Sequence, residues 1–210
     1  MGAGHPHPAW GEPRPGAIRR ALGRLRSALG AAPEPTSGGI GALPLALRRS
    51  ELAATYLAAE REGDHERAAT AAVDAMERAI SSREWWPADA WAHRALWHFE
   101  QGQATLEATR QARRIGDLRV AAGDPASARR YYAEAIDEAR DIGAEHEQGL
   151  AAIGLGRALL DLGRVTEARR LASGAIDLLE RSSATAAEVA EARELMGREV
   201  AVGERSEEGG

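Results

Sequence analysis

Residues 111–180 read QARRIGDLRVAAGDPASARRYYAEAIDEARDIGAEHEQGLAAIGLGRALLDLGRVTEARRLASGAIDLLE, and they hold one pattern twice. The first copy runs Ala112, Ile115-Gly116, Arg119, Gly123-Asp124, Ala128, Tyr132, Ala135. The second runs Ala152, Leu155-Gly156, Leu159, Gly163-Arg164, Ala168, Ala172, Ala175, each place 40 residues after its counterpart. The large-small pair lets two helices approach closely, because glycine adds no side chain at a crossing. Gly123 and Gly163 mark places where a helix stops and the chain reverses. Asp124-Pro125 restarts it, with Asp as N-cap and Pro at the first helical position. A fainter copy lies upstream in Leu52, Thr55-Tyr56, Ala59, Gly63-Asp64, Ala68, Ala72 and Ala75.

This pattern resembles the tetratricopeptide repeat, a helix-turn-helix unit that stacks into a solenoid. The resemblance covers roughly two thirds of the chain, and the spacing of 40 is longer than the family's usual unit of about 34, as in its extended bacterial members. The aromatic residue that opens the family's unit is replaced by Ala112 and Ala152. The resemblance implies an all-α fold: a TPR-like α-solenoid of antiparallel helix pairs over 45–202, closed by a C-terminal capping helix. A disordered N-terminal arm (1–44) and a disordered acidic tail (203–210) flank it.

Composition fits that expectation. Of 210 residues 44% are hydrophobic, enough for a real core, and there is a single Phe. Alanine and leucine supply the core, which suits closely packed helices more than a β-sandwich. There is no Cys, so disulfides, thiolate catalysis and Cys-ligated zinc are excluded. Lys and Asn are absent as well, and the Ala, Gly and Arg usage is that of a GC-rich bacterial genome. No run approaches the ~20 apolar residues of a membrane span, and no signal-peptide core opens the chain, so the expected address is cytoplasmic. Residues 1–30 carry five Arg and only Glu12, a charge of +4 within a total of −5, which leaves the remainder at −9. An acidic body argues against nucleic acid as the partner.

Within the arm, Ile18, Leu22, Leu25 and Leu29 form one helical stripe among arginines, a basic amphipathic helix at 17–29. Its narrow aliphatic stripe suits docking on protein more than on lipid, and the lack of Trp or Phe on that face argues against membrane binding. A Pro/Gly linker at 30–41 detaches it. From Leu45 the breaks predict eight helices, at 45–62, 65–81, 88–101, 104–122, 125–142, 145–162, 165–181 and 185–201. The repeat phase pairs the first with the second, the fourth with the fifth and the sixth with the seventh. Helix 88–101 then reads as an insertion between units, or 88–122 is a degenerate pair across which the phase slips; the insertion is preferred because the copies around Gly123 and Gly163 are the better matches.

The segment from Trp85 to Phe99, which leads into that helix, holds four of the five Trp. Ala88, Trp91, Ala92, Ala95, Leu96 and Phe99 share one face, with Trp97 and His93 on the opposite, polar side. Trp97 beside His93 is a candidate protein-binding anchor or is covered within the fold or by a dimer mate. As a metal or acid–base site the helix is weak. Asp89 and Glu100 lie about 16 Å apart along the axis, which leaves only Asp89 and His93 adjacent. No metalloprotease, hydrolase or phosphate-loop motif occurs in the sequence, and no catalytic residue, cofactor or metal site is assigned.

In the resembled family the first helix of each unit lines a concave groove. The resemblance places Arg110, Arg113, Arg114, Asp117 and Val120 there in one copy, and Leu150, Ile153, Arg157, Leu160 and Asp161 in the next. The faint copy offers Ala53, Leu57, Glu60 and Arg61. The arginines either fork onto a partner's carboxylates or phosphates, or pair with Asp117 and Asp161. The family's chaperone-tail-binding members use Lys and Asn at such places, and this chain has neither. The leading expectation is a non-enzymatic adaptor or scaffold that binds a peptide or helix of a partner protein in its concave groove, with a homodimer left open. The alternatives are a bacterial regulator or sensor acting through a separate effector chain and, behind it, an enzyme or metal-binding protein using helix 88–101.

Overall fold

A computed structural model of the chain describes residues 51–197. The arm with its basic segment, the linker and the acidic tail lie outside the described residues. Within them eight helices occur and no strand: α1 (Glu51–Glu62), α2 (His65–Ser81), α3 (Trp85–Gln101), α4 (Thr105–Ala121), α5 (Pro125–Asp141), α6 (Glu145–Asp161), α7 (Val165–Arg181) and α8 (Ala186–Gly197). The fold is all-α, an array of antiparallel helices in which each packs on the next.

The six helices α2 to α7 are each 17 residues long and start 20 residues apart. The turns explain that regularity. Gly63, Gly123, Gly143 and Gly163 take positive φ, and at the same interval so do Arg83 (φ 58°) and Gln103 (φ 59°). At Gly123 the turn residue's N–H donates to Val120 O (2.9 Å), and the next N–H, from Asp124, donates to Arg119 O (2.8 Å). The same two bonds recur at the other five positions, satisfying carbonyls that a helix end leaves open. Starts are capped where the sequence allows it. Asp64 accepts from the Arg67 N–H and Asp124 from the Ser127 N–H. Thr185 and Glu188 cap α8 reciprocally: the Thr185 N–H donates to the Glu188 carboxylate at 2.7 Å, and the Glu188 N–H donates to Thr185 Oγ1 at 3.3 Å.

The beat of 20 corrects the expectation that helix 88–101 is an insertion. It is a regular member, and it starts at Trp85 because Pro87 falls in the first turn, where no intrahelical N–H is needed. Side chains also cross every second helix. Gln111 of α4 reaches Met76 of α2, α4 touches α6, and α6 touches α8. Tyr56 of α1 meets His98 of α3, whose neighbour His93 meets Tyr131 of α5. The helices therefore form two rows, α2-α4-α6-α8 and α1-α3-α5-α7. The faint upstream copy sits one helix out of phase, since α1 belongs with α3 and α5.

The core between the rows is alanine-rich, with Trp91, Met76, Ile115 and Leu179 as its largest fully buried apolar side chains. Small residues let the helices close up, and a few large ones fill the gaps. Tyr132 of α5 is one of these. Its ring lies against Gly116 of α4 and Gly154 of α6, where an added Cβ would fall within 3 Å of ring atoms. The Tyr132 hydroxyl donates to Asp117 Oδ1 at 2.7 Å, which fixes the ring in that gap. Among the described residues no helix is long and apolar enough to cross a membrane.

Candidate functional site

Four of the five arginines expected to line a groove, Arg110, Arg113, Arg114 and Arg157, lie along the α2-α4-α6-α8 row and have acidic partners there, whereas Arg61 lies on α1, with Ala53, Leu57 and Glu60, in the other row. Arg114 of α4 pairs with Glu77 of α2. Arg113 Nε donates to Glu147 of α6 at 2.5 Å, and its Nη1 lies 3.1 Å from Asp117. Arg110 Nε approaches the same Glu147 at 3.6 Å. Arg157 of α6 pairs with Glu191 of α8, and His146 lies 3.1 Å from Glu188. The row is thus tied from helix to helix by ion pairs.

These pairs differ in weight. Glu147 is only 4% exposed, so its charge depends on Arg113. Burial by itself would lower the Arg113 pKa, but the Glu147 carboxylate, with Asp117 and Tyr132 adding to it, turns the shift upward. Arg110 and Arg157 are about half exposed, and their pairs are solvent-screened.

Of the other expected groove residues, Asp117 and Asp161 are exposed. Leu150 and Leu160 are half-buried, and Ile153 is in the core, packed in the cluster that includes Leu179 and Leu195. Ile153 therefore supports the row and presents no face to a ligand. Sequence reasoning offered Asp117 and Asp161 as internal partners for the arginines. It missed Glu77, Glu147 and Glu191, which sit on neighbouring helices. A signal existed, though off the 40-residue register: Arg113–Glu147 and Arg157–Glu191 share an offset of 34 residues, the second pair 44 residues after the first.

The Trp/His helix α3 is built into the opposite row. Trp91 is fully buried and edge-on to Tyr56, with centroids 5.2 Å apart. Trp97 is half-buried, edge-on to His65 of α2 and to His98. Trp86, which the sequence did not single out, is the exposed tryptophan of the segment at 76%. His93 places Nδ1 2.8 Å from the Asp89 carbonyl and Nε2 2.9 Å from the Tyr131 hydroxyl. A carbonyl only accepts, so Nδ1 carries the proton and Nε2 accepts from Tyr131. Both ring nitrogens are engaged, Nδ1 within α3 and Nε2 in joining α3 to α5. The Asp89 carboxylate is held by Arg119 of α4 at 2.8 Å.

His98 is buried, with Nε2 3.1 Å from the Tyr56 hydroxyl and Nδ1 3.1 Å from His65 Nδ1. Burial, with His65 as a second cause, pushes its pKa down to about 4. Glu134 and Glu138 of α5 move the other way, to about 7 each, chiefly by burial. Glu138 accepts from the Thr109 hydroxyl at 3.2 Å, and Glu100 of α3 faces both carboxylates. No group of three or more His, Asp or Glu positioned to hold a metal occurs among the described residues.

On the outer side of the α5–α7 pair, a slot of about 440 Å³ opens between the two helices. Leu155 and Leu159 of α6 form its floor, and arginines of α5 and α7 its rim. Compared with known proteins, the chain matches no family model and no curated protein.

Proposed function

We propose that the chain is a non-enzymatic interaction module of tetratricopeptide-repeat type, an adaptor that binds a peptide or helix of a partner protein. The observation that supports this reading most is the uninterrupted array of 17-residue helices at 20-residue intervals. Such an array presents long, even helix faces whose repeated positions meet a linear ligand in register. His93, His98 and the Asp89 carboxylate each bond a residue of another helix, which supports a structural role for the Trp/His helix.

On the α2-α4-α6-α8 row, the places available to a partner are the exposed ones: Arg110, Asp117, Arg157 and Asp161. Arg113 is a poor reporter, because its loss strands a buried Glu147. The test is therefore co-purification from native-source cells with the wild-type chain and with Arg110→Glu/Arg157→Glu. The expected result is a protein enriched by the wild type and depleted by the variant, with the circular dichroism spectrum unchanged. Equal recovery of every protein by the two chains removes this row from the binding surface.

A further inference from the structure

We infer that the slot between α5 and α7 is a second docking surface, and that its occupant is an acidic peptide segment of a partner protein carrying apolar anchor residues. This rests on the interaction-module reading and adds a surface to it. The charge around the slot carries the inference. Arg129 and Arg130 of α5 and Arg170 of α7 are exposed on its rim, and Arg129-Arg130 recurs as Arg169-Arg170 after one 40-residue period.

The other row neutralises its arginines with carboxylates from neighbouring helices. Here that does not happen: no described carboxylate pairs with Arg129 or Arg170. Arg130 acts on Glu134 only as a nearby charge. Arg164 is matched by Glu167 of its own helix through two 2.7 Å bonds, so the rim keeps an excess of positive charge. This excess lies on a chain of net charge −5, so the patch is local and opposite in sign to its surroundings.

The apolar lining selects further. Leu155 and Leu159, 9% and 3% exposed, close the bottom of the slot, and the apolar surface left to a ligand is that of Ala133, which is exposed, and Leu171, which is half-buried. A bare anion leaves that apolar wall wet, whereas a peptide with a leucine-like side chain between acidic residues covers it. The aliphatic anchor enters the slot while the flanking carboxylates meet forked guanidinium groups.

The test uses the full chain and a fluorescein-labelled synthetic peptide of about twelve residues, rich in Glu, with leucines one helical turn apart. Fluorescence anisotropy is expected to show saturable binding in the micromolar range, weakened by salt. Arg129→Glu/Arg170→Glu is expected to weaken it about tenfold or more, since close opposite charges become like charges. Arg129→Lys/Arg170→Lys is expected to retain part of the affinity, and replacing the probe's leucines by serine to lose most of it. Both altered residues are exposed, so the melting temperature serves as a fold control. Binding that ignores the charge reversal, or no saturation up to about 1 mM, overturns the inference. A rise in affinity on removing residues 198–210 also overturns it, by making the chain's own Glu-bearing segment the occupant. Failure of the module reading is distinguishable, since it shows as no co-purifying protein whatever the probe does.

Discussion

At the scale of single residues, Tyr132 and the glycines around it show how the rows are held at their spacing. The wedge of Tyr132 between Gly116 and Gly154 admits no Cβ, and the bond to Asp117 stops the ring from swinging away. Gly154→Ala is therefore expected to destabilise by about 1–2 kcal/mol, overpacking outweighing alanine's better helix propensity. Gly174, also within a helix, has nothing within 4 Å of a built Cβ. Gly174→Ala is expected to stabilise by about 1 kcal/mol, and urea unfolding of the two variants checks both signs. Arg113→Ala leaves Glu147 buried with Arg110 at 3.6 Å as its remaining partner. A loss of about 2–3 kcal/mol is expected, short of that for a fully buried pair. The large-small pair Ile115-Gly116 was legible in the sequence because close approach needs glycine. The ring that fills the gap beside Gly154 was not, because contact across three helices leaves no mark in local spacing.

At the scale of the helix and its turn, four of the six left-handed turn positions were legible because they are glycine. Arg83 and Gln103 hold the same conformation with side chains that disfavour it, so the turn before α3 was read too late, while α3 was taken for an insertion because the faint upstream copy paired α1 with α2 out of phase. The Pro87 that seemed to precede the helix lies inside its first turn. A non-glycine residue at such a φ is strained by roughly 1 kcal/mol. Arg83→Gly and Gln103→Gly are therefore expected to raise the melting temperature in thermal unfolding, each by about 0.5 kcal/mol of stability after glycine's entropy cost. A fall in both would mean that these side chains stabilise the turns by contacts of their own. The buried face of α3 was legible from its period, Trp91 and the alanines included. The burial of His98 was not, since its partners Tyr56 and His65 come from two other helices.

At the scale of the whole molecule, eight all-helical elements were legible because the breaks recur at a fixed interval. The sorting of helices into two rows was not, because it depends on which side chains cross a neighbour. One consequence of that packing is pH dependence. Glu134 and Glu138 have folded pKa values raised to about 7 from 4.5, so the folded state binds more protons than the unfolded chain between those values. Their contribution is fully present below 4.5 and is lost as pH rises through about 7. His98 works in the opposite sense: its folded pKa falls from 6.5 to about 4, and its contribution is lost as pH falls across that window. Comparing wild type with Glu134→Gln/Glu138→Gln isolates the carboxylates. The variant's stability relative to wild type is expected to increase between about pH 5 and 8, measured by chemical denaturation.

The central claim is that the molecule works by presenting helix faces to another protein. Amide hydrogen exchange of the full chain, alone and with its co-purified partner, tests it most directly. The account predicts slower exchange in the partner's presence along consecutive helices of one row: α4 and α6 for the ion-paired row, or the N-terminal halves of α5 and α7 for the arginine-rimmed slot. Exchange unchanged throughout 51–197 would contradict it, because the partner would then be held by some other part of the chain.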